Sequence, residues 1–133
     1  MNEKNTKSLY KKFPKIFRQR KMSMKETAMC WNFSCGDGWY WLIYQLCDSI
    51  QSCLDNNKHL GVRQVEATQV KEKFGGLRFY VNIATEEIFG MIHLAEHMSY
   101  YICEECGSTE KVSQNRGGWI RTLCPSCRKE MGK

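Results

Sequence analysis

No stretch of the chain approaches the roughly 18 consecutive apolar residues that a membrane-crossing helix needs. A helical membrane span is therefore excluded, and no membrane partner is expected. The opening MNEKNTKSLYKK is charged and has no apolar core, so no secretory signal is read there and a cytoplasmic setting is expected. A Gly-x-x-x-x-Gly-Lys-Ser/Thr phosphate loop is missing as well. The glycine pair in FGGLRF, residues 74–79, precedes a strand pattern, not a helix N-terminus that could cradle phosphate. No Ser-His-Asp set has supporting context, and no free cysteine is marked out as a nucleophile. Internal repeats and low-complexity tracts are absent, which removes solenoid and compositionally disordered readings.

What is present suits one compact domain with a small appendage: 133 residues, 42% hydrophobic, and eight cysteines. In a reducing cytoplasm those cysteines call for a reading other than disulfides. The net charge of +6 is uneven. Residues 1–25 hold nine Lys and Arg against one Glu, a local +8, so the remainder carries −2. The basic character thus belongs to an N-terminal arm, residues 1–28, where Lys11, Lys12, Lys15, Arg18, Arg20 and Lys21 could meet an acidic partner or simply face water. Leu9, Tyr10, Phe13, Ile16 and Phe17 predict short helical turns docked onto the body, interrupted at Pro14.

Residues 29–102 read as an α+β body. Trp39, Ile43, Leu46, Ile50, Cys53 and Leu54 recur at helical spacing and predict a helix over about 38–55, with Gly36 or Asp37 as its cap. A hairpin or small antiparallel sheet is expected over about 63–84. Leu77, Phe79, Val81 and Ile83 alternate with Arg78, Tyr80 and Asn82, while Gly75 and Gly76 would supply the positive φ of the turn. Arg78 and Tyr80 would then face away from the core, opposite Lys71 and Lys73. Thr85, followed by Glu86 and Glu87, opens a second helix over about 86–102, with Ile88, Met91, Ile92, Ala95, Met98 and Ile102 on its apolar stripe.

Residues 103–133 form a zinc-ribbon-like tail. Cys103, Cys106, Cys124 and Cys127 give C-x2-C-x17-C-x2-C, a spacing with a physical reason. Each C-x-x-C turn aims two sulfurs at one point and leaves backbone N–H groups free to bond them, and two such turns close a tetrahedron with metal–sulfur distances of about 2.3 Å. Four thiolates leave no position for water, so one structural Zn2+ per chain is expected, with rubredoxin-like iron as the other metal such knuckles accept. Gly107 lets the chain turn after the first knuckle, whereas Arg128 holds that place in the second. Among the other cysteines, Cys47 and Cys53 read as small hydrophobes on the first helix. Cys30 and Cys35 could join a second metal only with help from Cys47, Cys53 or His59. His93, Glu96 and His97 match H-x-x-E-H, an inverted metallopeptidase motif, but the same helix must bury Ile92 and Ala95 and no third ligand is apparent.

The segments CWNFSCGDGWYWLIYQLC, VKEKFGGLRFYV, AEHMSYYICEECG and GGWIRTLCPSC, in that order, resemble a set of small zinc-knuckle proteins encoded by bacteriophages and prophages. The resemblance runs from about Leu9 to Cys127. It implies expression in a bacterial host cytoplasm, supports the four knuckle cysteines, and supplies no catalytic residue. A non-enzymatic interaction protein that binds and modulates a host macromolecule, such as a CRISPR-type defence effector, is the first functional expectation. Trp31, Tyr80 and Trp119 are candidate anchors for it, though most of these aromatics are expected to complete the core. The second expectation is nucleic-acid binding, through the basic arm with Arg78, Tyr80, Trp119, Arg121 and further basic residues of the tail. No small-molecule substrate is expected.

Overall fold

The computed structural model describes residues 1–132. Helix α1, Glu3–Lys12, starts where the Asn2 side chain accepts the Asn5 N–H at 2.8 Å. Glu3 in its first turn and Lys11 and Lys12 in its last suit the helix dipole. It ends at Phe13, the residue that Pro14 holds out of helical geometry. The turns expected in this segment are thus a ten-residue helix followed by tight turns through Lys21. Leu9, Tyr10, Phe13, Ile16 and Phe17 are all buried, and each such large apolar side chain contributes about 1.5–3 kcal/mol. Tyr10, Phe17 and Phe33 form a trio with ring centroids 5.1 to 5.5 Å apart. The basic segment therefore forms one wall of the main core, with its lysines on the outside.

The two-residue strand β1, Phe33–Ser34, runs parallel to β2, Ala67–Lys73, which pairs in antiparallel register with β3, Gly76–Val81. Val70 lies opposite Phe79, and Lys71 opposite Arg78, so one face is apolar and the other basic. The expected hairpin is present with one difference in its turn. Phe74 and Gly75 hold the positive φ values, 54° and 84°, while Gly76 already belongs to β3. Gly76 answers a different demand: a Cβ there would overlap the ring of Tyr100. The alternation also fades early, since Leu77 and Phe79 are buried but Ile83 is 44% exposed.

Helix α2, Tyr40–Asn56, begins two residues later than expected, after a tight turn over Asp37–Trp39, and neither Gly36 nor Asp37 caps it. Asp37 instead accepts hydrogen bonds from the backbone of Asn2 and the side chain of Asn5. Helix α3, Glu86–Ser99, opens at Thr85, whose hydroxyl accepts the Ile88 N–H, as read from the sequence. It stops three residues short of Ile102, and it buries Ile88, Ile92, Ala95 and Ser99 while Met98 stays exposed.

Helix α3 also solves the problem of an open sheet edge. The outer strand β3 presents unpaired backbone N–H groups. The Ser99 hydroxyl accepts the Leu77 N–H at 2.9 Å, and the Glu96 carboxylate accepts the Phe79 N–H at 2.9 Å. Beyond α3 the chain turns through Tyr100–Ile102 into the cysteine segment. That segment holds β4, Ser113–Gln114, paired with β5, Thr122–Leu123, and then the short helix α4, Pro125–Glu130. The architecture is α+β with a C-terminal ribbon, the class expected from the sequence.

Candidate metal centre

Each of the four cysteines is delivered by a local device. After Cys103 and Cys106 the chain reverses at Gly107, with φ 81°, and the Gly107 N–H donates to the Cys103 carbonyl at 2.9 Å. The Ser108 N–H points at the Cys106 sulfur at 3.5 Å, the backbone donor that a knuckle turn leaves free. The second pair does not repeat this turn. Cys124 is the N-cap of α4 and Pro125 its first residue, a position where a missing N–H costs nothing. The Arg128 N–H therefore donates helically to the Cys124 carbonyl at 3.0 Å, which explains how this knuckle dispenses with a glycine. Pairing of β4 with β5 brings the two turns together.

The result is a closed cluster. The four sulfurs lie within 4.8 Å of one another, with Cys103 and Cys124 buried. Sulfurs around a metal at about 2.3 Å in a tetrahedron are about 3.8 Å apart, and Cys106 and Cys124 are separated by 3.7 Å. The donor set thus fits a tetrahedral ion that favours thiolates. The thiols themselves show the strain of sharing one site. Burial pushes the Cys103 thiol up, but backbone N–H groups of Cys106, Cys124 and Glu105 outweigh it and bring it to about 7. The Ser108 N–H favours a Cys106 thiolate, yet burial and the hydrogen bonds shared with Cys103 and Cys124 leave that thiol above its ordinary value. Burial, then the neighbouring sulfurs, push Cys127 up strongly. A divalent ion held among these sulfurs would offset the repulsion between thiolates this close together.

The first knuckle is clamped onto the body by CGDGW, residues 35–39. The Glu104 carboxylate is buried and accepts the Gly36 N–H at 2.9 Å and the Arg121 Nε–H at 3.2 Å. Its backbone carbonyl accepts the Gly38 N–H at 2.7 Å, and the Trp39 indole donates to the Ile102 carbonyl at 2.9 Å. Burial pushes the Glu104 carboxyl up, opposed by the Arg121 charge and the Gly36 N–H. Neither Gly36 nor Gly38 has room for a Cβ, which would collide with the backbone of Glu104 and Cys103. The sequence reading does not contain this contact: it takes Gly36 only as a possible helix cap and assigns Gly38 no role. The available signal was the pair of glycines flanking Asp37, whose spacing has no use in a helix cap. At the other side of the ribbon, the Thr122 hydroxyl donates to the Gly75 carbonyl at the hairpin turn, and Gln114 donates to the Tyr100 carbonyl at 2.9 Å.

The remaining predicted residues are spread over the surface. Lys11, Lys12, Lys15 and Lys21 are exposed. Arg18 is engaged by Glu66 at 2.8 and 3.0 Å, and Arg20 lies 4.9 Å from the centre of the Tyr10 ring. Arg78 donates to the Leu77 carbonyl and the Tyr100 hydroxyl, so it braces β3 against the turn after α3. Arg121 pairs with Glu104 and Glu105 and belongs to the ribbon's own framework. Trp31, Tyr80 and Trp119 do not complete the core as expected for most of them; all three are exposed. His93 and His97 are exposed, and Glu96 serves as the backbone acceptor described above. Cys30, Cys35, Cys47, Cys53 and His59 do not converge: among the described residues, one group of three or more candidate ligands is found, the four ribbon cysteines. Burial pushes the Cys35 thiol up to about 12 and raises that of Cys47 strongly. Among the described residues, no helix is long and apolar enough to cross a membrane.

The fold and site define an α+β protein carrying a four-cysteine ribbon. No family model matches the chain, and neither does any curated protein or solved structure.

Proposed function

We propose that this protein is a non-enzymatic binding module whose C-terminal ribbon is held by one structural Zn2+. The observation that carries the reading is the closed cluster of Cys103, Cys106, Cys124 and Cys127, with four sulfurs within 4.8 Å. Four protein ligands leave a tetrahedral ion no place for substrate or water, so its work is structural. Zinc is the usual structural occupant of a four-thiolate ribbon, and rubredoxin-like iron is the other ion such a donor set accepts. The resemblance to phage-encoded zinc-knuckle proteins supports a cytoplasmic setting in a bacterial host, and a host or defence protein such as a CRISPR-type effector as partner. Exposed Leu94 and Met98, which line a 180 Å³ groove between α2 and α3, support a protein contact of this kind. Nucleic acid is the second reading, favoured by the exposed lysines of α1 and the segment after it.

The test has two arms. Metal analysis of the purified chain is expected to return about one zinc per chain. A folded ribbon free of metal sinks the zinc assignment. Affinity capture from bacterial lysate, with and without nuclease, is expected to retain one stoichiometric host protein that survives the nuclease. Capture that disappears with nuclease transfers the function to nucleic acid.

A further inference from the structure

Two aromatic side chains stand at the tips of two neighbouring turns with no role in the core. Phe74 sits at the β2–β3 turn and is 69% exposed; Trp119 sits on the β4–β5 loop and is 71% exposed. Both line one cleft of about 310 Å³, whose other walls are Glu72, Lys73, Gly118 and Ile120. The cleft exists because the ribbon is seated on the hairpin: Thr122 bonds the Gly75 carbonyl, and a Cβ on Gly75 would come within 3.0 Å of the Ile120 side chain.

Stability does not account for either ring. Phe74 holds φ 54°, a conformation that disfavours a bulky side chain and that a turn would ordinarily give to Gly or Asn. It combines that strain with exposure of a large apolar surface. Local strain of this kind points to a functional demand. The loop carrying Trp119 is preceded by Gly117 and Gly118, both at positive φ, and is tied down from within by Asn115, which donates to the Trp119 carbonyl at 2.9 Å. Trp119 is therefore presented on a built loop.

The chemistry beside the rings is cationic. The Lys73 ammonium lies 5.6 Å from the centre of the Phe74 ring, and the Lys71 ammonium 5.9 Å from that of Tyr80. Lys71 and Lys73 share the outer face of β2 with Arg78 and Tyr80 of β3. The carboxylate at the cleft, Glu72, is engaged by the Gly75 N–H at 2.7 Å. Exposed aromatic faces beside the Lys71 and Lys73 ammonium groups suit stacked bases on a negatively charged backbone. The cleft's side chains are apolar apart from Glu72 and Lys73, and Ile120 can meet the C5-methyl of thymine.

We propose that the Phe74–Trp119 cleft binds single-stranded DNA, with a pyrimidine base lying against the two rings and the phosphates passing Lys73 and Lys71. The assignment rests on the nucleic-acid reading above and names its ligand and its surface.

The test uses the full, metal-loaded chain with fluorescent dT10 and rU10 at low salt, read by anisotropy, and zinc content measured on every variant. Wild-type protein is expected to bind dT10 more tightly than rU10. Trp119→Ala and Phe74→Gly are each expected to weaken dT10 binding about 5- to 100-fold. Phe74→Gly removes the ring and the strain together, so its thermal midpoint should equal or exceed the wild type. Loss of affinity in that variant cannot then be a folding defect. Absence of dT10 binding, affinities unmoved by both substitutions, or rU10 binding as tight as dT10 each overturn the assignment. So does a host protein captured through Trp119 in the absence of any DNA affinity. Full zinc with no DNA binding defeats this inference together with the nucleic-acid reading it rests on; dT10 binding unmoved by both substitutions defeats the cleft assignment alone; a folded chain without zinc defeats the metal reading alone.

Discussion

The Gly38 N–H donates to the backbone carbonyl of Glu104 at 2.7 Å, joining the turn before α2 to the first cysteine knuckle. This approach of two backbones is closer than any side chain at residue 38 would permit. The four-cysteine ribbon is consequently part of the body's packing, not a tethered appendage.

Gly38→Ala is therefore expected to destabilise the protein by about 2 kcal/mol or more, because the Cys103 and Glu104 backbone must move to admit a methyl group. The same change at Gly90 is the control. That residue lies within α3 with nothing near its missing Cβ, so Gly90→Ala should stabilise by about 0.5–1 kcal/mol. Urea denaturation of the two variants measures both, and equal midpoints would refute the clamp.

Metal removal is expected to reach beyond the ribbon. Cys124→Ser should abolish stoichiometric zinc and collapse the amide signals of the ribbon in a nitrogen–proton correlation spectrum. Because Glu104 is bonded to Gly36, and Thr122 to Gly75, signals from those two body glycines should shift as well. A strong chelator added to the wild type should reproduce the pattern. Unchanged glycine signals would show the ribbon and body to be energetically separate.

Ser99→Ala is expected to cost about 1–3 kcal/mol, since the buried Leu77 N–H loses its acceptor at the edge of the sheet. Glu96→Gln should cost less, because an amide oxygen can still accept the Phe79 N–H. Hydrogen exchange at Leu77 and Phe79 gives a direct readout, and protection at Leu77 that survives Ser99→Ala would exclude the proposed capping of β3.

The Glu66 carboxyl is held below its ordinary value of 4.5, first by the hydrogen bonds from Arg18 and then, against burial, by Gln19. A depressed folded value means that the carboxylate's contribution is present above the unfolded value and is lost as pH falls through the folded one. Glu66→Gln should accordingly lower the thermal midpoint at pH 7 by an amount that shrinks below about pH 4.5 and vanishes in stronger acid. A difference that grew on acidification would contradict the pairing.

The features legible from residue order alone are those governed by local geometry. Period-3.6 and period-2 patterns placed α2, α3 and the hairpin, because the stripe that repeats is the stripe that is buried. The spacing of Cys103, Cys106, Cys124 and Cys127 announced the cluster, because a C-x-x-C turn brings two sulfurs together whatever surrounds it. Thr85 marked the start of α3 through a hydrogen bond only three residues long. Other assignments depended on which surfaces meet. Gly36 suggests a helix cap in the sequence, whereas in the fold it meets Glu104, 68 residues further along the chain. Gly76 suggests a turn residue in the sequence, whereas in the fold the Tyr100 ring occupies the place of its missing side chain. Arg78 and Arg121 suggest surface contact cations in the sequence, whereas in the fold Tyr100, Glu104 and Glu105 hold them. Short-range geometry is written into neighbouring residues. A close approach between distant segments exists only once the core has set their separation, and it was that approach which gave these glycines and arginines their roles.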